Sequence, residues 1–214
     1  MICYLPSCAF KAKHERTAAA LGAWLPEKGV SVCGCCKECG GSFGPGDTVL
    51  FNCMSCMLTA AERSPQCTTK SVYEYLLQQP DFPWPDLNGE HIAVQDCFRA
   101  RDRADVRTAV RGMLRAMNAA VVELPEGGET CTFDGVFLMK PLPERTIAAA
   151  PVACSRLAKF ITPKSEEEQL AAMRAHAASI GDVRVAAYCN GCLAGLKKGG
   201  ANAVHVLDLA CARL

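Results

Sequence analysis

The chain has little net charge and no segment built for a membrane. Its 23 Lys and Arg residues are offset by 22 Asp and Glu, a formal charge of +1. Neither nucleic acid nor an anionic membrane surface is therefore an expected partner. No apolar run is long enough to span a bilayer. The opening residues 1–6 lack the basic and apolar regions of a secretory signal, and none is expected. Fingerprints of flavin or nicotinamide binding are also missing, so any redox chemistry would draw its electrons from a partner protein. The expected address is the cytoplasm, where thiols stay reduced, which argues against a disulfide scaffold.

What the chain has in abundance is cysteine: 15 residues, an odd number. Six fall between Cys33 and Cys56, in Cys33-Gly34-Cys35-Cys36-Lys37-Glu38-Cys39 and Cys53-Met54-Ser55-Cys56. Packing does not ask for this, because a buried Cys is a small hydrophobe that Val or Ala could replace. Thiols at short, regular gaps form a metal-ligand or a disulfide pattern. With disulfides disfavoured, metal binding is the main reading. Gly34, Gly40, Gly41, Gly44 and Gly46 let this region fold tightly round a ligand.

At 214 residues, half of them hydrophobic, the chain can bury one large core or two small ones. Strands are expected at 2–5, 29–32 and 48–51, with a helix at 15–25 stopped by Pro26 and Gly29 and another starting at the Cys53–Cys56 pair. An apolar segment covers 72–77, and the Pro-rich residues 79–89 read as a linker. The series then repeats: strand 91–94, helix 103–118, strand 120–124, helix 166–179 with a capping box from Ser165 and Glu168, strand 183–188, a short helix to Lys198, and a final strand 203–209. Each half thus has a lone thiol (Cys8; Cys97), a thiol in a glycine loop (Cys35 and Cys36; Cys131) and a Cys-x-x-Cys (Cys53 and Cys56; Cys189 and Cys192). All follow strand ends. The expected fold is α/β, with two pseudo-repeated halves over 1–78 and 90–214. Each half is a small parallel sheet flanked by helices, with the cysteine loops at the strand carboxyl ends, where such sheets bind ligands.

The order and duplication of these motifs resemble the cysteine-rich CCG-domain family, which includes the cysteine-rich subunit of heterodisulfide reductase and the iron–sulfur subunits of glycolate, lactate and glycerol-3-phosphate oxidation systems. Pro6-Ser7-Cys8 is similar to the family's Pro-Gly-Cys, and Cys35-Cys36 matches its Cys-Cys doublet. Phe51-Asn52-Cys53-Met54-Ser55-Cys56 and Ala187-Tyr188-Cys189-Asn190-Gly191-Cys192 match its strand followed by Cys-x-x-Cys. Cys97-Phe98-Arg99-Ala100-Arg101 resembles Cys-His-Leu-Gly-Arg, and His205-Val206-Leu207-Asp208-Leu209 resembles the closing His-x-x-Glu-Leu.

The resemblance implies one or two [4Fe–4S] clusters. Five thiolates, Cys8, Cys35, Cys36, Cys53 and Cys56, would hold a noncubane cluster in the first half. Four, Cys97, Cys131, Cys189 and Cys192, would suit a cubane in the second. It also implies reduction of a small disulfide or related substrate at Cys35 and Cys36, with electrons from a flavoprotein or ferredoxin-like partner. A protein that only relays electrons within an oxidoreductase complex is the alternative in function.

Zinc is the alternative in chemistry, since Cys36-x-x-Cys39 with Cys53-x-x-Cys56 is also a zinc-ribbon spacing; the repeat favours iron–sulfur. Cys3, Cys67, Cys154 and Cys211 read as buried core thiols, and Cys33 and Cys39 as substitute ligands or redox thiols. His205 reads as a satisfied polar residue, and His14, His91 and His176 as surface residues. Arg103, Arg107, Arg111 and Arg115 read as a solvated helix face.

Overall fold

The structure, a computed structural model, describes residues 1–214. The chain divides into two compact units. Unit 1 comprises Met1–Asp81, Leu142–Lys159 and Leu214; unit 2 comprises Phe82–Pro141 and Phe160–Arg213.

Unit 1 opens with strand β1 (Ile2–Leu5) and helix α1 (Cys8–Lys13), the latter capped by the Ser7 hydroxyl, which accepts from Phe10 N at 3.4 Å. Helix α2 (Glu15–Glu27) follows. Pro26 lies in its last turn and does not stop it; the chain leaves the helix at Gly29, whose φ of +75° a side chain would resist. Strand β2 (Val30–Val32), the one-turn helix α3 (Cys36–Cys39), strand β3 (Thr48–Phe51) and helix α4 (Met54–Arg63) carry the cysteine motifs. Strand β4 (Thr68–Ser71) was not expected; the apolar segment after it is helix α5 (Val72–Leu77), capped by Ser71.

Unit 2 begins with β5 (His91–Gln95), α6 (Ala104–Ala116) and β6 (Ala120–Glu123). The chain then supplies α7 (Glu144–Ala149) and α8 (Pro151–Ala158) to unit 1. It completes unit 2 with α9 (Glu166–Ile180), β7 (Arg184–Ala187), α10 (Asn190–Gly199), β8 (Ala203–His205) and α11 (Val206–Ala210). The capping box at Ser165 and Glu168 forms as expected. The final strand ends at His205, earlier than the apolar run suggests, because His205 Nδ1 accepts from Leu207 N at 3.2 Å and starts a helix. No helix is long and apolar enough to cross a membrane.

The fold is therefore α/β with two four-stranded parallel sheets, ordered β2-β1-β3-β4 and β6-β5-β7-β8. Corresponding strands pair in the same way. Leu5 lies opposite Phe51 and Phe51 opposite Ser71; Gln95 lies opposite Ala187 and Ala187 opposite His205. Ser71 and His205 thus occupy equivalent places and both cap the helix that follows. The central strands are apolar on both faces: Leu5, Val49, Leu50, Phe51, Ile92, Ala93, Val94 and Val185 are all fully buried. Each large side chain removed from water in this way contributes about 1.5–3 kcal/mol.

Two local devices complete the units. In unit 1, helix α8 starts without a capping side chain of its own. Glu62 of α4 caps it, its two carboxylate oxygens accepting from Val152 N at 2.8 Å and Ala153 N at 2.9 Å. In unit 2, α9 lies against a glycine face of α10. A Cβ on Gly195 would meet Met173 Sδ at 2.7 Å, and one on Gly199 would overlap the Met173 carbonyl.

This packing makes Gly199→Ala costly by about 1–3 kcal/mol through overpacking. Gly22→Ala in α2 has nothing within 4 Å of the added methyl, and should be neutral or stabilising by about 0.5–1 kcal/mol. Denaturant midpoints at unchanged slope measure both. Equal effects of the two substitutions would contradict the close approach of α9 and α10.

Candidate metal centre

The thiols gather because neighbouring parallel strands end together. In unit 1, Ser7 N donates to Asn52 Oδ1 at 3.0 Å; in unit 2, Cys97 N donates to Tyr188 Oη at 3.1 Å. Asn52 and Tyr188 each stand one residue past the strand that carries Cys-x-x-Cys. These two hydrogen bonds lock the loop after the first strand of each sheet to the loop after its neighbour. They also set the repeat's alignment: Cys97 corresponds to Ser7, and Cys8 lies one residue beyond.

In both units the first Cys of the pair is the N-cap of a helix and the second its third residue. Cys53 and Cys56 hold these places on α4, Cys189 and Cys192 on α10. Thiolates there face the positive end of the helix dipole.

In unit 2, Cys97, Asp134, Cys189 and Cys192 are all buried and place one ligand atom each within 4.8 Å of all the others. The fourth member is a carboxylate that sequence reasoning missed. Cys131 stands beside the group: its Sγ lies 3.7 Å from the Phe133 carbonyl, which is 3.8 Å from Cys192 Sγ. Burial pushes the Cys131 thiol up to about 11. The sequence did hold a signal for Asp134, since Cys131-Thr132-Phe133-Asp134 has the spacing of a Cys-x-x-Cys with a carboxylate in second place.

Gly135, at φ +56°, lets this loop press on the other pair; a Cβ there would overlap the Gly191 carbonyl. The same loop walls a cavity of about 200 Å³ lined also by Glu126, Met139, Met173 and His176. His176 is not the surface residue expected: it stacks on Phe133 with ring centroids 4.0 Å apart and shares a 2.6 Å hydrogen bond with Gln95 Oε1.

Charge in this group is compensated by Arg99. Its Nε lies 2.7 Å from Asp134 Oδ2, and its Nη2 lies 2.9 Å from Asp134 Oδ1 and 3.3 Å from Cys189 Sγ. Burial raises the Asp134 carboxyl to about 6 against the pull of Arg99. Hydrogen bonds from Cys192 and Cys97 carry the Cys189 thiol far below its ordinary value, with help from Arg99.

Asp96, beside Cys97, accepts from Arg111 at 2.8 and 3.1 Å, from Gly128 N at 2.6 Å and from Tyr188 Oη at 3.1 Å. Burial opposes its charge, but these donors outweigh burial and hold the carboxyl below its usual range. Arg111 therefore serves the site and not a solvated stripe, and Arg107 is buried as well.

In unit 1 the thiols link in contacts. Cys8 Sγ and Cys35 Sγ lie 3.2 Å apart, and that hydrogen bond, with burial, raises the Cys8 thiol. Cys56 donates to Cys36 and to Cys53, which raises Cys56. Its hydrogen bond brings Cys36 down to about 7 against the cost of burial. The structure thus brings Cys8 against Cys35, and Cys56 against Cys36 and Cys53, two contacting sets joined by the Cys35–Cys36 doublet. Cys39 turns away to donate to the Cys35 carbonyl at 3.1 Å. Cys67 is only partly buried, whereas Cys154 and Cys211 are core thiols as expected. Cys3 and Cys33 form a disulfide that is not expected from the sequence.

No family model, curated protein or solved structure matches the chain.

If Asp134 is the fourth ligand of the unit 2 group, Asp134→Ala should weaken binding of a spectroscopic divalent probe such as Co²⁺ by at least about tenfold. Cys131→Ser should leave it nearly unchanged. Titration followed by thiolate-to-cobalt charge-transfer bands reads both. The reverse order of effects would return the fourth place to Cys131.

Proposed function

We propose that the protein is an iron–sulfur redox protein resembling the cysteine-rich subunit of heterodisulfide reductase, with its reactive centre in unit 1. The observation that carries this reading is that two contacting thiol sets, Cys8 with Cys35 and Cys56 with Cys36 and Cys53, are joined through the adjacent Cys35 and Cys36. An all-sulfur donor set fits iron–sulfur ligation, and five donors exceed the four of an ordinary cubane. A cluster held there would supply single electrons, whereas reduction of a disulfide takes two.

The chain's own residues provide the rest. Asn52 fixes the loop that carries Cys8. Cys36, lowered to about 7, supplies a thiolate near neutral pH. Cys35 and Cys36, adjacent in the chain with α-carbons about 3.8 Å apart, would both help hold such a group. Cys8, Cys35 and Cys53 are not fully buried, which leaves a small substrate a path to the group. Electrons come from a flavoprotein or ferredoxin-like partner, and the cytoplasm is the compartment that keeps the thiols available.

The unit 2 group supports a second reading for its own metal. Three thiols and a carboxylate within 4.8 Å of one another suit a single ion such as Zn²⁺. At a metal–sulfur distance of about 2.3 Å, tetrahedral ligands stand roughly 3.8 Å apart. That centre would then be structural, and the electron path would end in unit 1.

Protein purified without oxygen should contain iron with acid-labile sulfide. Cys35→Ser and Cys36→Ser should each abolish repeated, reductant-driven thiol release from a disulfide substrate. Cys189→Ala should lower total metal while the unit 1 spectrum stays intact. A colourless protein loaded with zinc alone would end the redox reading; clusters that cycle through a partner without any thiol release would make the protein a relay.

A further inference from the structure

We propose that Cys3 and Cys33 form a dithiol–disulfide couple that exchanges with small disulfides, a pair bonded to each other although it packs in one buried cluster with Cys36 and Cys56. It needs no metal and does not depend on the iron–sulfur reading. The geometry comes from strand register. In the β1–β2 pair, Cys3 lies opposite Ser31 and Tyr4 opposite Val32. Cys33 N then donates to Tyr4 O at 2.9 Å, so pairing continues one residue past β2 and sets Cys33 beside Leu5. Side chains alternate along a strand, so Cys3 and Cys33 share a face as diagonal neighbours. Their α-carbons are 6.3 Å apart, inside the range of about 4.4–6.8 Å that a disulfide spans without moving the backbone. The two sulfurs are bonded.

The two positions differ in access. Cys3 is fully buried, whereas Cys33 is partly exposed on an edge strand whose neighbouring Val32 is 41% exposed. In reducing compartments a protein disulfide is as a rule catalytic or redox-sensing, not a permanent brace. These positions suit that role: an accessible sulfur to attack and a sheltered one to resolve.

In the reduced form the Cys33 thiolate attacks a small disulfide RSSR′. A bond forms between Cys33 and RS, and R′S⁻ leaves and takes up a proton. The Cys3 thiolate then attacks the Cys33 sulfur, expels RS⁻ and closes the Cys3–Cys33 disulfide. The couple loses two electrons and the substrate gains them, giving two thiols per chain, once. A low-molecular-weight dithiol reverses the cycle.

The test uses the full chain as purified, reduced with a dithiol, desalted and given glutathione disulfide without any electron donor. Alkylation and mass spectrometry follow, with fragmentation to separate Cys33 from Cys35 and Cys36. Wild type should lose two alkylatable thiols, at Cys3 and Cys33, and release two glutathione thiols. Cys3→Ala should trap glutathione on Cys33, while Cys33→Ser should release none from this site; the trapped adduct keeps the proposal testable should either variant be less stable. Metal content should be unchanged in Cys33→Ser, which separates this site from the ligand set. Closure of Cys33 onto Cys35 or Cys36, wild-type thiols that stay fully alkylatable, or loss of metal in Cys33→Ser would overturn the proposal.

Discussion

Parallel pairing of two central strands is the constraint on which the rest of this protein depends. Strands about 4.8 Å apart that run the same way deliver their following residues to the same edge. Here the delivery is made exact to a side chain by one hydrogen bond per unit, Ser7 to Asn52 and Cys97 to Tyr188. That bond ties the loop holding Cys8 or Cys97 to the turn that carries Cys-x-x-Cys. In unit 2 the bond is reinforced by the buried Asp96, which Arg111 neutralises. Removing Arg111 would destabilise by about 3–5 kcal/mol, because it strands the Asp96 charge inside the protein; Arg111 itself keeps a partner in Glu123.

The two units use the same topology differently. Unit 2 encloses its group: every donor is buried, and Arg99 balances the negative charge from within. Unit 1 leaves Cys8 exposed and Cys35 and Cys53 half-buried, and its thiols support one another chiefly through sulfur hydrogen bonds. Closed, charge-balanced donor sets suit a metal that stays put; open sets suit one that meets a substrate. The contrast is one of access: Cys8, Cys35 and Cys53 of unit 1 reach solvent, whereas the unit 2 group does not.

Much of the fold was legible because its signals are local. The alternation of short apolar runs with glycine-ended helices gave seven of the eight strands, and the stripe of Val106, Val110, Met113 and Leu114 gave α6. Strand β4 was missed because Thr68-Thr69-Lys70-Ser71 has no apolar face; it forms by pairing with β3. The sites were less legible because they depend on register. Cys3 and Cys33 become neighbours only once β1 and β2 are known to be parallel and in a given alignment. Asp134 was overlooked because a carboxylate in a glycine loop looks like surface until Arg99 and three thiols close round it. The arginine face of α6 misled for a related reason: Arg111 reads as solvated until Asp96 is placed beneath it.

The return of α7 and α8 to unit 1 sets an order of events during synthesis. Glu62 emerges from the ribosome about 90 residues before Val152 and Ala153, the backbone groups it caps. At roughly 5–20 residues per second, this leaves α4 without its covering helices for several seconds. All of the first sheet, and the thiols Cys36, Cys53 and Cys56 on or beside α3 and α4, are by then available. The nascent chain thus has an interval in which the first thiol group is formed but its neighbouring helix pair is still unmade. During that interval the Glu62 carboxylate, which ends as the cap of α8, faces water.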